Sequence, residues 1–180
     1  MEVKLDTPLT LEKIKNLKAG DELILNGIIY GARDAAHIRL IKEINENKKL
    51  PFEINNSTIF YVGPSPTKPN KKSGAVGPTT SSRMDNLTEP LLKRGLRAMI
   101  GKGDRSQKIK ELMKKYGAIY LVTPGGISAY LSSKVEYIKE IAYKDLGPEA
   151  IFEIKVKEFP LFVAYDLYGN DIFKLALRSE

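Results

Sequence analysis

At 180 residues, with 42% hydrophobic and 28% charged content, the chain is long enough to bury a core and ordinary for a folded globular protein. It contains no cysteine, which excludes disulfides and thiolate ligands for zinc or an iron–sulfur cluster. The formal charge of +7 is dispersed, with lysines alternating with glutamates in "KIKELMKK" and "EIKVKEF", the pattern of a solvated surface or a mild attractor for small anions; no arginine–aromatic stripe supports a nucleic-acid partner.

The opening "MEVKLDTPLT" has no apolar signal core, and no apolar run approaches the ~20 residues that cross a bilayer, so a cytoplasmic protein with no membrane partner is expected. Abundant lysine, glutamate and isoleucine, with one glutamine (Gln107) and no tryptophan, point compositionally to a thermophilic source. "TPLTLEKIKNLKAGD" predicts a short helix, with Thr10 as N-cap and Gly20 beyond its end. In "ELILNGIIY" two apolar strands flank Asn26-Gly27, a hairpin signal. "GARDAAHIRLIKEINEN" spaces Ala36, Leu40, Ile41 and Ile44 for an amphipathic helix opening after Gly31, and "STIFYVG" predicts a third strand.

Further on, "SSRMDNL" and "TEPLLKRG" predict two short helices, the second capped by Thr88 and ended by Gly95. A strand ending at Ile100, a helix from about Ser106 to Tyr116 stopped by Gly117, and the strand "AIYLVT" form a β-α-β crossover, hence a parallel pair. "AIFEIKVKEF" alternates as a half-exposed strand, and "LFVAYDLYGNDIF" predicts a hairpin around Gly169-Asn170. Crossovers mixed with hairpins give the fold class: α/β, with a mixed sheet.

Between these elements lies "GPSPTKPNKKSGAVGPTTSSRMD", from Gly63 to Asp85. A linker would have to join two units with cores of their own, and residues 1–62 are few for that. A long irregular loop inside one domain is usually functional. The expectation is one domain over residues 1–180, with an active-site loop at 63–83 in which Lys68, Lys71 and Lys72 draw in an anion or meet a partner.

Three segments put cations at strand ends, where open α/β sheets bind ligands. Arg33 opens a helix, where backbone N–H groups and the helix dipole also favour an anion. Thr79, Thr80, Ser81 and Ser82 surround another helix start, with Arg83 just inside it. Lys102 stands between two glycines after a strand, in a loop without the spacing of a phosphate-binding P-loop. Each also reads blandly, as a surface pair, an N-cap or a solvated lysine. The Gly-Gly step in "TPGGIS" is weak as a phosphate motif, and no G-x-S-x-G elbow exists for a serine nucleophile. His37, the one histidine, has no second histidine or cysteine to complete a metal site; at i, i+3 it can pair with Asp34 and steady Arg33 from behind.

"GARDAAH", "YVGPSPTKPNKKSGAVGPTTSSRMD", "MIGKG" and "VTPGGISAYLSSKV", in this order, resemble the β-subunit of class I, iron–sulfur-dependent fumarate hydratases, equivalently the C-terminal half of their single-chain form. Tartrate dehydratase β-subunits share the pattern. The resemblance covers nearly the whole chain. It implies a swivelling β/β/α domain and a hydro-lyase that adds water reversibly across a double bond flanked by two carboxylates. It implies a [4Fe–4S] cluster held by a partner α-subunit rather than by this chain, and an α2β2 hetero-oligomer. By the same likeness Arg33, Arg83 and Lys102 hold substrate carboxylates, Thr79 to Ser82 line the substrate, and Thr79 moves the C3 proton. A non-catalytic anion-binding module and a nucleic-acid binder remain as alternatives from the residues alone.

Overall fold

The computed structural model describes residues 1–64, 76–124 and 126–178. The chain begins with β1 (Glu2–Asp6), the one-turn helix α1 (Leu11–Ile14), β2 (Glu22–Gly31), α2 (Asp34–Asn45) and β3 (Thr58–Phe60). A 3-10 helix (Ser81–Leu87) and α3 (Glu89–Lys93) lead into β4 (Ala98–Gly101), α4 (Gln107–Tyr116) and β5 (Ile119–Val122). Then come α5 (Ser128–Ser133), β6 (Val135–Ala142), a second 3-10 segment (Lys144–Glu149), β7 (Ile151–Tyr165) and α6 (Ile172–Leu177). No helix among the described residues is long and apolar enough to cross a membrane.

Two long strands carry the topology. One edge of β2 pairs in parallel with β1 over Glu22–Asn26 and with β3 at Tyr30–Gly31. Its other edge runs antiparallel to β7, from Glu22 opposite Phe162 to Gly31 opposite Phe152. β3, β4 and β5 follow in parallel, and β5 meets the end of β7 antiparallel. The ring β2-β3-β4-β5-β7 therefore closes into a five-stranded barrel, with β1 and β6 added outside it. The mixed α/β sheet expected from the sequence is present, and its closure is an addition to that expectation.

Closure explains the burial. Phe60, Ala98, Ile100, Ile119 and Leu121 point into the barrel with Leu23, Leu25, Ile29, Phe159 and Val163. Their neighbours Ile59, Tyr61, Met99 and Tyr120 pack outward against Leu40, Leu91, Ile109 and Met113 of the helices. Strands β3 to β5 thus have apolar residues on both faces, as parallel strands covered by helices require. Each fully buried Leu or Ile contributes ~1.5–3 kcal/mol by leaving water.

Local signals set several boundaries. Thr10 accepts from the Lys13 N–H and Ser106 from the Ile109 N–H, so both cap their helices. Gly117 ends α4 in the left-handed region at φ 74°. Thr88 precedes α3 but makes no capping bond; its hydroxyl turns back to the Met84 carbonyl at 2.6 Å.

Two expected hairpins are corrected. Asn26-Gly27 is no turn, because β2 runs through it unbroken. The pair sits at a β-bulge, where Lys157 and Glu158 of β7 oppose Asn26, and the Glu158 N–H donates to Asn26 Oδ1 at 2.8 Å. Gly27 takes φ +110° and lies so close to the Thr7 hydroxyl that a Cβ there would overlap it. Near the C-terminus, β7 absorbs both "AIFEIKVKEF" and "LFVAY" as one strand. The Gly169-Asn170 turn is closed by a single antiparallel bridge, Tyr165 to Asp171, after which Asp171 caps α6. The second arm is helical, since Asp171 accepts from the Phe173 N–H. Strands β1 and β6 were not foreseen.

The Gly27 contact yields a test. Gly27→Ala should lower unfolding free energy by about 1–3 kcal/mol, from the overlap and the positive φ together. Thr7→Ala combined with it should cost less than the sum of the single changes in urea titrations, because the overlap is gone. Strict additivity would show that Thr7 is not what Gly27 accommodates.

Candidate active site

The carboxyl ends of β2, β3, β4 and β5 lie side by side in the barrel, and the segments leaving them carry the three cations. Arg33 follows β2 in extended backbone as the N-cap of α2. Its Nε is buried with no hydrogen-bond partner, and a Cβ at Gly63 would sit 2.8 Å from its Nη1. Gly63, at the exit of β3, therefore gives the guanidinium room. Among the described residues Arg33 has no carboxylate partner, so it does not pair with its neighbour Asp34.

Asp34 instead accepts from Arg83 at 3.1 Å, which ties the start of α2 to the 3-10 helix. The Arg83 side chain is 51% exposed, so this pair holds direction more than stability. Among the described residues it is the one contact of the Arg83 fork, made through a single nitrogen.

The hydroxyl run is docked onto β3 and β4. The Thr79 N–H and hydroxyl both donate to the Tyr61 carbonyl, at 2.8 and 3.2 Å. Thr80 forms a parallel bridge with Lys102. The Ser81 N–H donates to the Lys102 carbonyl, and the Lys102 N–H donates to Ser81 Oγ, both at 3.1 Å. Gly101 permits this approach, because a Cβ there would overlap the Ser81 oxygen. Ser81 is fully buried and its hydroxyl also meets Tyr120 at 2.8 Å. It anchors the segment and is not a free donor for a ligand. Thr80, Ser82, Arg83 and Lys102 are exposed, Thr79 is half-buried, and Lys102 has no ion pair among the described residues. The segment that would bring Lys68, Lys71 and Lys72 lies outside the described residues.

His37 is completely buried and does not pair with Asp34. Its Nδ1 lies 2.7 Å from the Arg33 carbonyl, which also accepts the His37 backbone N–H at 2.9 Å. Burial drives its pKa down to about 4, so the ring is neutral, donates from Nδ1 and leaves Nε2 without a partner beside the Tyr61 ring. The histidine thus fixes the backbone of Arg33.

Sequence reading missed Arg105. Its side chain is wholly buried, with Nε donating to Asp85 at 2.8 Å, Nη1 to the Tyr61 hydroxyl at 3.1 Å and Nη2 to Thr88 at 3.2 Å. Burial opposes its charge, but Tyr61, Asp85 and Tyr120 outweigh that and hold it firmly cationic. Nothing in "GKGDRS" distinguishes such an arginine from a solvated one.

The cations do not line the cavity of about 610 Å³ bounded by Thr7, Gly27, Tyr30, Asn56 and Ser57, which lies at the opposite end of β3. Among the described residues no group of three His, Cys, Asp or Glu side chains could hold a metal, and the chain has no cysteine, so its residues do not fit an iron–sulfur cluster. What the strand ends offer is a concentration of positive charge and N–H or O–H donors, suited to a small anion with more than one acidic group.

Residues 1–176 match the family described as "Fumarase C-terminus". The chain belongs to that family. It is 41% identical over 172 residues to a Methanocaldococcus jannaschii protein provisionally named L(+)-tartrate dehydratase subunit beta, covering 92% of this chain and 88% of that one. It is 36% identical over 182 residues to an aerobic class I fumarate hydratase of Salmonella typhimurium, covering 99% of this chain but 31% of the relative. With the anaerobic class I fumarate hydratase of Escherichia coli the identity is again 36%, over 34% of that protein. The chain thus spans most of the archaeal subunit and about a third of the fumarate hydratases. These relatives are hydro-lyases by name, which places the chain in a hydro-lyase family.

The buried histidine gives a pH test. Its pKa falls from the ordinary 6.5 to about 4 on folding, so between those values the unfolded chain binds a proton that the folded chain rejects. This contribution is complete above pH 6.5 and is lost as pH falls towards 4, ~3 kcal/mol in all. His37→Asn keeps a donor for the Arg33 carbonyl and should flatten the stability profile by about that amount over this window, read by urea titration at each pH. An unchanged slope would mean that the ring is not held neutral.

Proposed function

We propose that this chain is the substrate-holding β-subunit of a two-subunit hydro-lyase that hydrates fumarate reversibly to (S)-malate. The observation that carries the reading is the set of cations left incompletely satisfied among the described residues at adjacent strand ends: Arg33 with a buried, unpaired Nε, Arg83 held by one contact, and Lys102 without an ion pair. Leaving a buried donor unpaired costs about 1–3 kcal/mol, which a carboxylate ligand would recover.

In this reading Arg33, Arg83 and Lys102 bind the two carboxylates, and the exposed Thr80 and Ser82 add donors. Hydration of the double bond passes through an enolate-like carbanion that gathers charge beside one carboxylate, so fixed cations stabilise it more than the ground state. Thr79 is the candidate for moving the C3 proton. Its hydroxyl donates to the Tyr61 carbonyl, which cannot take that proton. Among the described residues no base is hydrogen-bonded to Thr79, so in this reading a further group ionises it before it can act. The [4Fe–4S] cluster belongs to the α-subunit on this account, and the expected assembly is α2β2. L(+)-tartrate is the second reading, supported by the 41% identity to the archaeal subunit over nearly its full length.

Co-expression with the α-partner and anaerobic assays on malate, fumarate and L(+)-tartrate test both readings; turnover by this chain alone after metal removal would overturn the division of labour. In the assembled enzyme Arg83→Lys should lower kcat/KM ~10²-fold, because the planar fork is lost while the charge remains. Lys93→Ala, in an exposed pair with Glu89 at 3.6 Å, should leave it unchanged. Equal effects would reduce Arg83 to part of a diffuse field.

A further inference from the structure

We propose that Arg105 is a positioning residue that sets the distance between Arg83 and Lys102, and through it the length of dianion the site accepts. This rests on the reading of those two cations as carboxylate holders. Each lies in a short segment tied to the other at both ends. On the near side, Thr80 and Ser81 are bridged to Lys102 through backbone, with Gly101 allowing the contact. On the far side, Asp85 of the 3-10 helix binds Arg105 Nε through Oδ1 and the Ser106 N–H through Oδ2, both at 2.8 Å. Arg83 falls between Ser81 and Asp85, and Lys102 falls between Gly101 and Arg105.

The guanidinium does more than close this loop of contacts. Its remaining nitrogens reach the Tyr61 hydroxyl on the strand segment after β3 and the Thr88 hydroxyl before α3. Its Cζ lies 5.2 Å from the centre of the Tyr61 ring and 5.3 Å from that of the Tyr120 ring. The backbone N–H of Arg105 donates to Asp104 Oδ1 at 2.8 Å and to the Tyr165 hydroxyl at 2.7 Å, which fixes the loop just after Lys102 and holds the guanidinium's stem in place. The Tyr61 carbonyl in turn receives Thr79. One planar group with separately directed donors thus references the 3-10 helix and the Thr79 anchor to the Lys102 loop, from which its own backbone springs. A lysine at this position has the charge but a single nitrogen, and cannot make those contacts at once.

The test is a titration of the full chain, followed by NMR chemical shifts, with malate, the one-carbon-longer glutarate and the monocarboxylate propionate. Arg105→Lys should weaken malate binding about tenfold and level the malate-to-glutarate ratio, because small misplacements of paired contacts are expensive, while propionate changes less than about twofold. A loss of folding alone would not shift that ratio at temperatures where circular dichroism shows the variant folded. A folded Arg105→Lys chain with the wild-type ratio overturns the proposal. Should that variant not fold, Tyr61→Phe removes one acceptor of the guanidinium and should move the ratio in the same direction; no movement is likewise fatal. Lys102→Ala separates the two levels of the argument. If it weakens malate binding while the Arg105 ratio is unmoved, the site stands and the positioning role falls. If malate does not bind the wild-type chain, or Lys102→Ala leaves it unaffected, the anion-site reading fails and this proposal with it.

Discussion

Strands β3, β4 and β5 have no solvated face, and the rest of the molecule is arranged around that constraint. The interior side is filled by Phe60, Ile100 and Leu121, and the outer side by Ile59, Met99 and Tyr120 under the helices. A charged group placed along these strands would be stripped of water without compensation. Polar chemistry is therefore confined to the residues leaving the strand ends. Parallel pairing then brings those ends together, which is how Arg33, Arg83 and Lys102, far apart in sequence, come to border one region.

Confinement to strand ends raises a second problem, since segments leaving a sheet are its least constrained parts. Three devices address it here. Glycines at 63 and 101 let a guanidinium and a serine hydroxyl approach where a Cβ would block them. Neutral His37 holds the Arg33 carbonyl from within the core. Arg105 supplies the third, a buried cation between β4 and α4 whose partners are spread over the 3-10 helix (Asp85), the start of α3 (Thr88) and the segment after β3 (Tyr61). Burying such a charge is unfavourable unless most of its donors are used, and here each guanidinium nitrogen has a partner.

The legible parts of the sequence were those decided by near neighbours. Ser106 and Gly117 bound α4 because capping acts within one turn, and the β4–α4–β5 crossover follows from them. The cations at strand ends were visible for the same reason, as each follows directly on an apolar run. Asn26-Gly27 misled because its local preference for a tight turn is overridden by Thr7 and Glu158, which come from distant parts of the chain. Strands β1 and β6 are half-exposed edges whose pairing with β2 and β7 decides their form. The expected Asp34–His37 pair also failed on tertiary grounds, since Arg83 takes the carboxylate and burial keeps the imidazole neutral. Arg105 carries no local mark, and only packing separates it from the chain's other basic residues.

The seam between β2 and β7 has a consequence for how the molecule is made. It joins Glu22 to Phe162 and Gly31 to Phe152, so the barrel closes only when segments far apart in sequence meet. Loop-closure entropy must be met in full before these contacts repay it, which makes the seam a late event in folding. On a ribosome, the segments bearing Arg33, Arg83 and Lys102 emerge well before the strand that completes the ring. Until β7 arrives, β2 exposes one whole edge and β5 another, both apolar and unpaired. The interval before closure is therefore the period in which this chain is most exposed to aggregation, and in which a chaperone or an early-binding subunit would have most effect.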